Sequence, residues 1–206
     1  MVSPTDALQR LREGNARFVA GTLSSGELAS PQRRGSLSEA QKPFAIVLGC
    51  SDSRVPAELV FDQGLGDLFV IRVAGNVVTP SGIGSVEFAA EQFGTRLVVV
   101  LGHSKCGAVK ATLGQLQQPA ELRSPNLRSI VDRIQPSVEP VLDELGGNAE
   151  DLVQQAVDAN VRSSVEQLCH GSEILEQMVD NGTLQIVGAN YCLDSGEVTF
   201  FEGDES

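Results

Sequence analysis

The sequence predicts an α/β fold: a mostly parallel central sheet flanked by helices, with an N-terminal helical arm and an antiparallel C-terminal edge strand. Three observations predict it. Short apolar runs recur at 44–49, 68–73, 97–102 and 184–191, and such continuous runs are typical of strands buried on both faces. Helix-patterned stretches lie between them, as parallel pairing requires. A DSG turn at 194–196 leads into VTFF at 198–201, which sets a last short strand at an edge.

The elements follow in order. SPTDALQRLREGNARFVAG opens the chain: Ser3 suits a helix cap, Pro4 its first turn, and Leu8, Leu11, Phe18 and Val19 fall near one face. Residues 21–43 are rich in Gly, Ser and Pro and read as an extended polar arm. FAIVLG at 44–49 is the first strand and LFVIRV at 68–73 the second. Residues 81–94, apolar at Ile83, Val86, Phe88, Ala89, Ala90 and Phe93, read as a helix stopped by Gly94. LVVVLG at 97–102 is the third strand. The stretch 126–180 is helical in pattern, with breaks expected at Pro136, Pro140, Gly146 and Gly147. LQIVGANY at 184–191 is the fourth strand and VTFF the edge strand. No repeat, low-complexity tract or linker interrupts this order, so residues 1–206 read as one domain, with 1–43 as helix and arm.

At 206 residues the chain is long enough to bury a sizeable core. Hydrophobic residues at 41% and charged residues at 20% place it among soluble globular proteins. A net charge of −12 and a pI near 4.5 argue against nucleic acid or an anionic membrane surface as partner. The apolar runs are far too short to cross a bilayer, and the N-terminus lacks the basic-then-apolar order of a signal peptide. Four cysteines are too few for a disulfide scaffold, and two of them sit in metal-like spacing. Free thiolates in a reducing, cytoplasmic setting are expected.

CSDSR at 50–54 and HSKC at 103–106 carry the chemistry. Cys50 follows the first strand and His103 the third, and open parallel sheets bind ligands beyond the carboxyl ends of their strands. Two distant segments thereby deliver Cys50, Asp52, Arg54, His103 and Cys106 to one place. Two thiolates and an imidazole are a zinc set with one position open, where a water would have its pKa lowered to about 7. The other ring nitrogen of His103 needs an acceptor that the sequence does not name. Asp52 has two competing uses: it can close the set as a fourth ligand, or pair with Arg54 and accept a hydrogen bond from whatever fills the open position. Two plainer readings stand beside this one. A closed Cys2HisAsp site could hold loops together, or Cys50 and Cys106 could be ordinary buried thiols, which leaves Asp52 and Arg54 unexplained. Cys169 and His170 are adjacent, about 100° apart on a helix, and read as packing or surface residues. Cys192 reads as a core thiol and FEGDES as a solvated end.

These residues lie in longer stretches. GCSDSRVPAELVFDQGLGDLFVIRVAGNVV at 49–78, EFAAEQFGTRLVVVLGHSKCGAV at 87–109, GANYCLDSGEVTF at 188–200 and LREGNARFVAG at 11–21 resemble segments of the β-class carbonic anhydrases, over most of the chain. The resemblance implies a zinc enzyme, a carbonate dehydratase interconverting CO2 and bicarbonate. It implies Cys50, His103 and Cys106 as metal ligands, Asp52 as a ligand only in a closed state, and Asp52 with Arg54 as the catalytic dyad. It further implies an apolar substrate pocket at Phe69, Ala74 and Phe88, and a Gly107 backbone N–H facing bicarbonate. Gln41 would donate to substrate in the neighbouring subunit, so a dimer or tetramer is implied, with residues 1–43 packing on the partner. Taken alone, Gln41 is an arm glutamine, Phe69 and Phe88 are core aromatics, and Gly107 is a helix-packing glycine. A subset of the family binds bicarbonate at a second, inhibitory site through a Trp, an Arg and a Tyr. The matching positions are Val47, Arg72 and Tyr191, and the chain has no Trp, so that site is not expected. Two rivals share the same residues: a CS2 or COS hydrolase, and a non-catalytic zinc protein that binds bicarbonate.

Overall fold

In the computed structural model, which describes residues 2–24, 26–119, 124–146 and 151–201, the apolar runs pair as one five-stranded sheet. Strands β1 (Ala45–Gly49), β2 (Leu68–Arg72), β3 (Leu97–His103) and β4 (Gln185–Tyr191) are parallel, and β5 (Val198–Phe200) runs antiparallel to β4. The order is β2-β1-β3-β4-β5. The chain leaves β1 for β2 on one side, then crosses back to β3 on the other. The winding therefore reverses beside β1, and the carboxyl ends of β1 and β3 form the crevice of a topological switch point.

Every residue of β1 and β3 is buried, which is why their runs show no polar alternation. Successive side chains still point to opposite faces. Val47, Val99 and Leu101 join Ala7 and Leu11 of α1 (Pro4–Val19) and Ala57 and Val60 of α3 (Ala57–Val60) in one core. Ile46, Leu48, Val98 and Val100 join Val86 and Ala89 of α4 (Pro80–Gln92), Val161 and Val165 of α7 (Leu152–His170), and Leu175 of α8 (Glu173–Asp180) in the other. A third cluster lies under the strand ends. There Val109 and Leu113 of α5 (Gly107–Gln117), Ile134 and Val138 of α6 (Pro125–Leu145), and Val157 of α7 pack around Cys50 and Cys106.

Helix α1 starts as expected, with the Ser3 hydroxyl accepting from the Asp6 N–H at 3.1 Å. On its apolar side Ala7 and Leu11 are fully buried, Leu8 and Phe18 are half-buried, and Val19 is exposed. Asn15, also buried, donates to Val60 O and Gly196 O and accepts from the Val198 N–H.

Two expectations are corrected. The arm is not extended throughout: it holds a 3-10 turn (Gly26–Ala29) and the short helix α2 (Pro31–Ser36). Ser30 caps α2 by accepting from the Arg33 N–H, the same Ser-Pro start that opens α1. Helix α6 runs through Pro136 and Pro140 without a break. Both prolines are exposed, whereas Val131, Ile134 and Val138 are buried, so the carbonyls that the prolines leave unpaired face water. Helices α3 and α5 have no counterpart among the sequence-based expectations. Gly146, at φ 75, does end α6; Gly147 and residues 202–206 of the acidic tail lie outside the described residues. Among the described residues no helix is long and apolar enough to cross a membrane.

Candidate metal centre and active site

The site is built from the ends of β1 and β3 and the start of α5. The sulfurs of Cys50 and Cys106 and a ring nitrogen of His103 converge within 4.8 Å of one another, and all three residues are buried. His103 is 0% exposed. Its Nδ1 lies 2.9 Å from Ser104 O. A carbonyl only accepts, so Nδ1 carries the proton and Nε2 presents its lone pair. Nε2 is buried with no hydrogen-bond partner, an orphan acceptor aimed at the two sulfurs.

The sulfurs have different surroundings. Cys50 accepts from the Gly75 N–H at 3.3 Å. Its thiol is pulled down, chiefly by the hydrogen bond from Cys106, against the opposing effect of burial. Cys106, which keeps that proton and is itself buried, is pushed up, although the Val109 and Ala108 N–H groups at the start of α5 favour its thiolate. The pair gives up one proton readily and the second with difficulty. A divalent cation between the sulfurs favours both thiolates. Two thiolates and the orphan nitrogen of one neutral imidazole fit a zinc ion.

Asp52 stands at the rim of this group. Its carboxylate accepts from Arg54 Nε at 2.9 Å and Nη2 at 2.7 Å, and from the Arg54 N–H at 3.0 Å. The Arg54 guanidinium holds the Asp52 carboxyl well below the usual carboxylate range. Asp52 Oδ2 is also 3.8 Å from His103 Nε2. Of its two uses considered above, the arrangement present is the pairing with Arg54.

Several contacts that fix the loops are not legible in the motifs. Arg72, at the end of β2, donates to Cys50 O at 3.0 Å and to Asp52 O at 2.6 Å, so it clamps the backbone that carries both residues. Val47 is buried in mid-strand. The HSKC loop is tied to the C-terminal turn: the Ser104 N–H donates to Tyr191 O, Ser104 Oγ accepts from the Leu193 N–H, and Lys105 Nζ reaches both Asp194 oxygens at 2.7 Å.

The remaining candidates are spread out. Ala74 immediately precedes Gly75. Gly107 opens α5 and is exposed, and a Cβ there would meet nothing within 4 Å, so helix packing does not require glycine at that position. Phe69, Phe88 and Phe93 form an aromatic cluster with ring centroids 5.4–6.4 Å apart. Phe88 is 50% exposed and is not a core aromatic. Gln41 is exposed and lines two neighbouring surface clefts with Phe93; neither cleft is lined by Cys50, Asp52, His103 or Cys106. His170 is an exposed residue with Nδ1 3.2 Å from Glu176 Oε1, while Cys169 is buried. Cys192 is half-buried rather than core, and the Ser195 hydroxyl beside it holds its thiol down.

Comparison with known proteins gives consistent results. A family model described as carbonic anhydrase matches residues 45–198. A carbonic anhydrase of Mycolicibacterium smegmatis is 44% identical, over 95% of this chain and 92% of that protein. Carbonic anhydrase 2 of Mycobacterium tuberculosis is 40% identical, over 94% and 91%. Among solved structures, the β-carbonic anhydrase CcaA superposes with a TM-score of 0.74 at 31% identity, covering 95% of this chain and 88% of that one. The β-carbonic anhydrase CafA of Aspergillus fumigatus gives 0.72 at 26%, covering 96% and 90%.

Proposed function

The chain belongs to the β-class carbonic anhydrase family, and from that premise we propose that it hydrates carbon dioxide reversibly to bicarbonate with zinc held by Cys50, His103 and Cys106. One observation carries the reading. Two buried sulfurs and an orphan imidazole nitrogen converge beside a carboxylate that an arginine keeps ionised. Bound there, zinc supplies a Lewis acid that makes a water molecule acidic enough to lose a proton near neutral pH. The remaining work falls to the chain. Asp52, ionised and acceptor-only, takes a hydrogen bond from the attacking water and orients its lone pair toward the substrate. Arg54 keeps Asp52 charged and would hold it off a bound zinc; in a closed form Asp52 would become the fourth ligand. Arg72 holds the loop on which both alternatives turn. Carbon dioxide is apolar, so an apolar wall from Phe69, Ala74 and Phe88 suits it, and the backbone N–H of Gly107, at the start of α5, suits the anionic product.

Gln41 and Phe88 serve, in this reading, the site of a second copy, which makes the protein a dimer or a multiple of one. Cys50 and Cys106 can act as metal ligands only while they stay out of disulfides, which suits a reducing, cytoplasmic setting. The test is stopped-flow hydration of CO2 by the purified protein, run beside CS2 and COS. Fast, chelator-sensitive CO2 turnover supports the proposal. Preferential turnover of CS2 or COS, or none of any substrate by zinc-loaded protein, contradicts it.

A further inference from the structure

The turn that carries Gly75 is restrained from a distant helix. Gly75 lies at φ 70 and Asn76 at φ 45, two left-handed residues in a row. A Cβ on Gly75 would stand 2.7 Å from Ile134 Cδ1 and 3.0 Å from Ala108 Cβ, so only glycine fits between α6 and α5. Asparagine tolerates positive φ better than most residues, and a neighbouring element can hold such a turn in one orientation. Helix α7 does so. Asn160 Nδ2 donates to Gly75 O at 2.9 Å, and Ser164 Oγ donates to Asn76 O at 3.3 Å. The two are 3% and 2% exposed, and four residues apart they share one face of the helix. With both carbonyls of the turn fixed, the Gly75 N–H points at Cys50 Sγ, 3.3 Å away.

We propose that Asn160 and Ser164 are positioning residues of the metal centre. By holding the Gly75–Asn76 turn they aim the Gly75 N–H at the Cys50 sulfur, and so set the strength of that sulfur as a ligand. The inference rests on the zinc reading above. An N–H donated to a ligating thiolate draws electron density from the sulfur, and such outer contacts both orient and tune a ligand. A merely structural role, satisfying two buried carbonyls, would alter stability and leave the metal unchanged.

The experiment compares wild type, Asn160→Leu, which keeps bulk but loses the donor, and Ser164→Ala. Zinc affinity is measured by competition with a chromophoric chelator. The cobalt-substituted forms give the sulfur-to-metal charge-transfer band, and circular dichroism reports folding. Asn160→Leu is expected to bind zinc roughly ten- to a hundred-fold more weakly, because the released turn no longer orients Cys50, and to move the cobalt band to longer wavelength, because the sulfur keeps the electron density that the N–H drew off. Ser164→Ala should move both in the same direction by less, and it decides the matter alone should Asn160→Leu not fold. Folded variants with a lowered melting temperature but wild-type zinc affinity and an unmoved cobalt band would overturn the proposal. Wild type that fails to bind zinc would instead overturn the reading beneath it.

Discussion

Asp52 makes both side-chain oxygens available to one guanidinium, and that single pairing determines its charge and its direction. Arg54 binds it through two side-chain nitrogens and a backbone N–H. Replacement by asparagine keeps the shape, removes the charge, and places a donor where an acceptor is required. Asp52→Asn should lower kcat/KM for CO2 hydration by roughly 10²–10⁴-fold while metal analysis still finds zinc held by the other three side chains. Loss of zinc together with activity would mark Asp52 as a structural ligand. At this scale the residues that bear donor atoms were legible, because cysteine, histidine and aspartate occur in short spacings at strand ends. What orients them was not. Nothing in HSKC tells that the His103 ring turns back onto Ser104 O, and nothing in the order of residues links Arg72 to the carbonyls of Cys50 and Asp52. These are contacts between a common side chain and a backbone group, and they leave no pattern.

Elements were legible where burial is complete and illegible where a local signal has two outcomes. The runs of β1 and β3 could only be buried strands. Pro136 and Pro140 signal a break in isolation, but four residues apart on the wet side of an amphipathic helix they cost only solvated carbonyls. Helix α5 was missed because Gly107 and Gly114 obscure the spacing of Val109, Thr112 and Leu113, which the structure buries. The joints between elements carry a further consequence at Asp62, whose side chain is 2% exposed. It ties the last turn of α1, through Arg17, and the arm, through the Ser24 N–H and hydroxyl, to the turn after α3. Burial alone would raise its carboxyl, but Arg17 and Ser24 outweigh burial and hold it below the ordinary value. A depressed folded-state pKa contributes stability above the unfolded value of about 3.9 and loses it as pH falls through the folded value. Asp62→Asn should therefore lower unfolding free energy at neutral pH by about 1.5–3 kcal/mol, and the gap from wild type should narrow below about pH 4. Urea unfolding across that range measures it; a gap independent of pH would show that the Asp62 charge contributes nothing.

The whole molecule leaves an aromatic surface uncovered. Phe88 stands half exposed beside Phe69 and Phe93, and Gln41 lies in the neighbouring clefts. A net charge of −12 sets copies of this chain against one another, so association must rest on apolar contact. An interface that lets one copy complete the site of another should exceed about 2,000 Å² in total. Phe88→Arg should yield monomers in sedimentation, with zinc retained and hydration activity lost. Fully active monomers would show that each site is complete within one chain. The central claim, that this fold hydrates CO2 through a metal held by Cys50, His103 and Cys106, is tested most directly by reconstitution. Metal-free protein is titrated with zinc while bound metal and CO2 hydration rate are followed together. Activity should be absent at the start, rise in proportion to bound zinc, and level off at one zinc per chain. Full activity without metal, or a chain that takes up its zinc and hydrates no CO2, would contradict it.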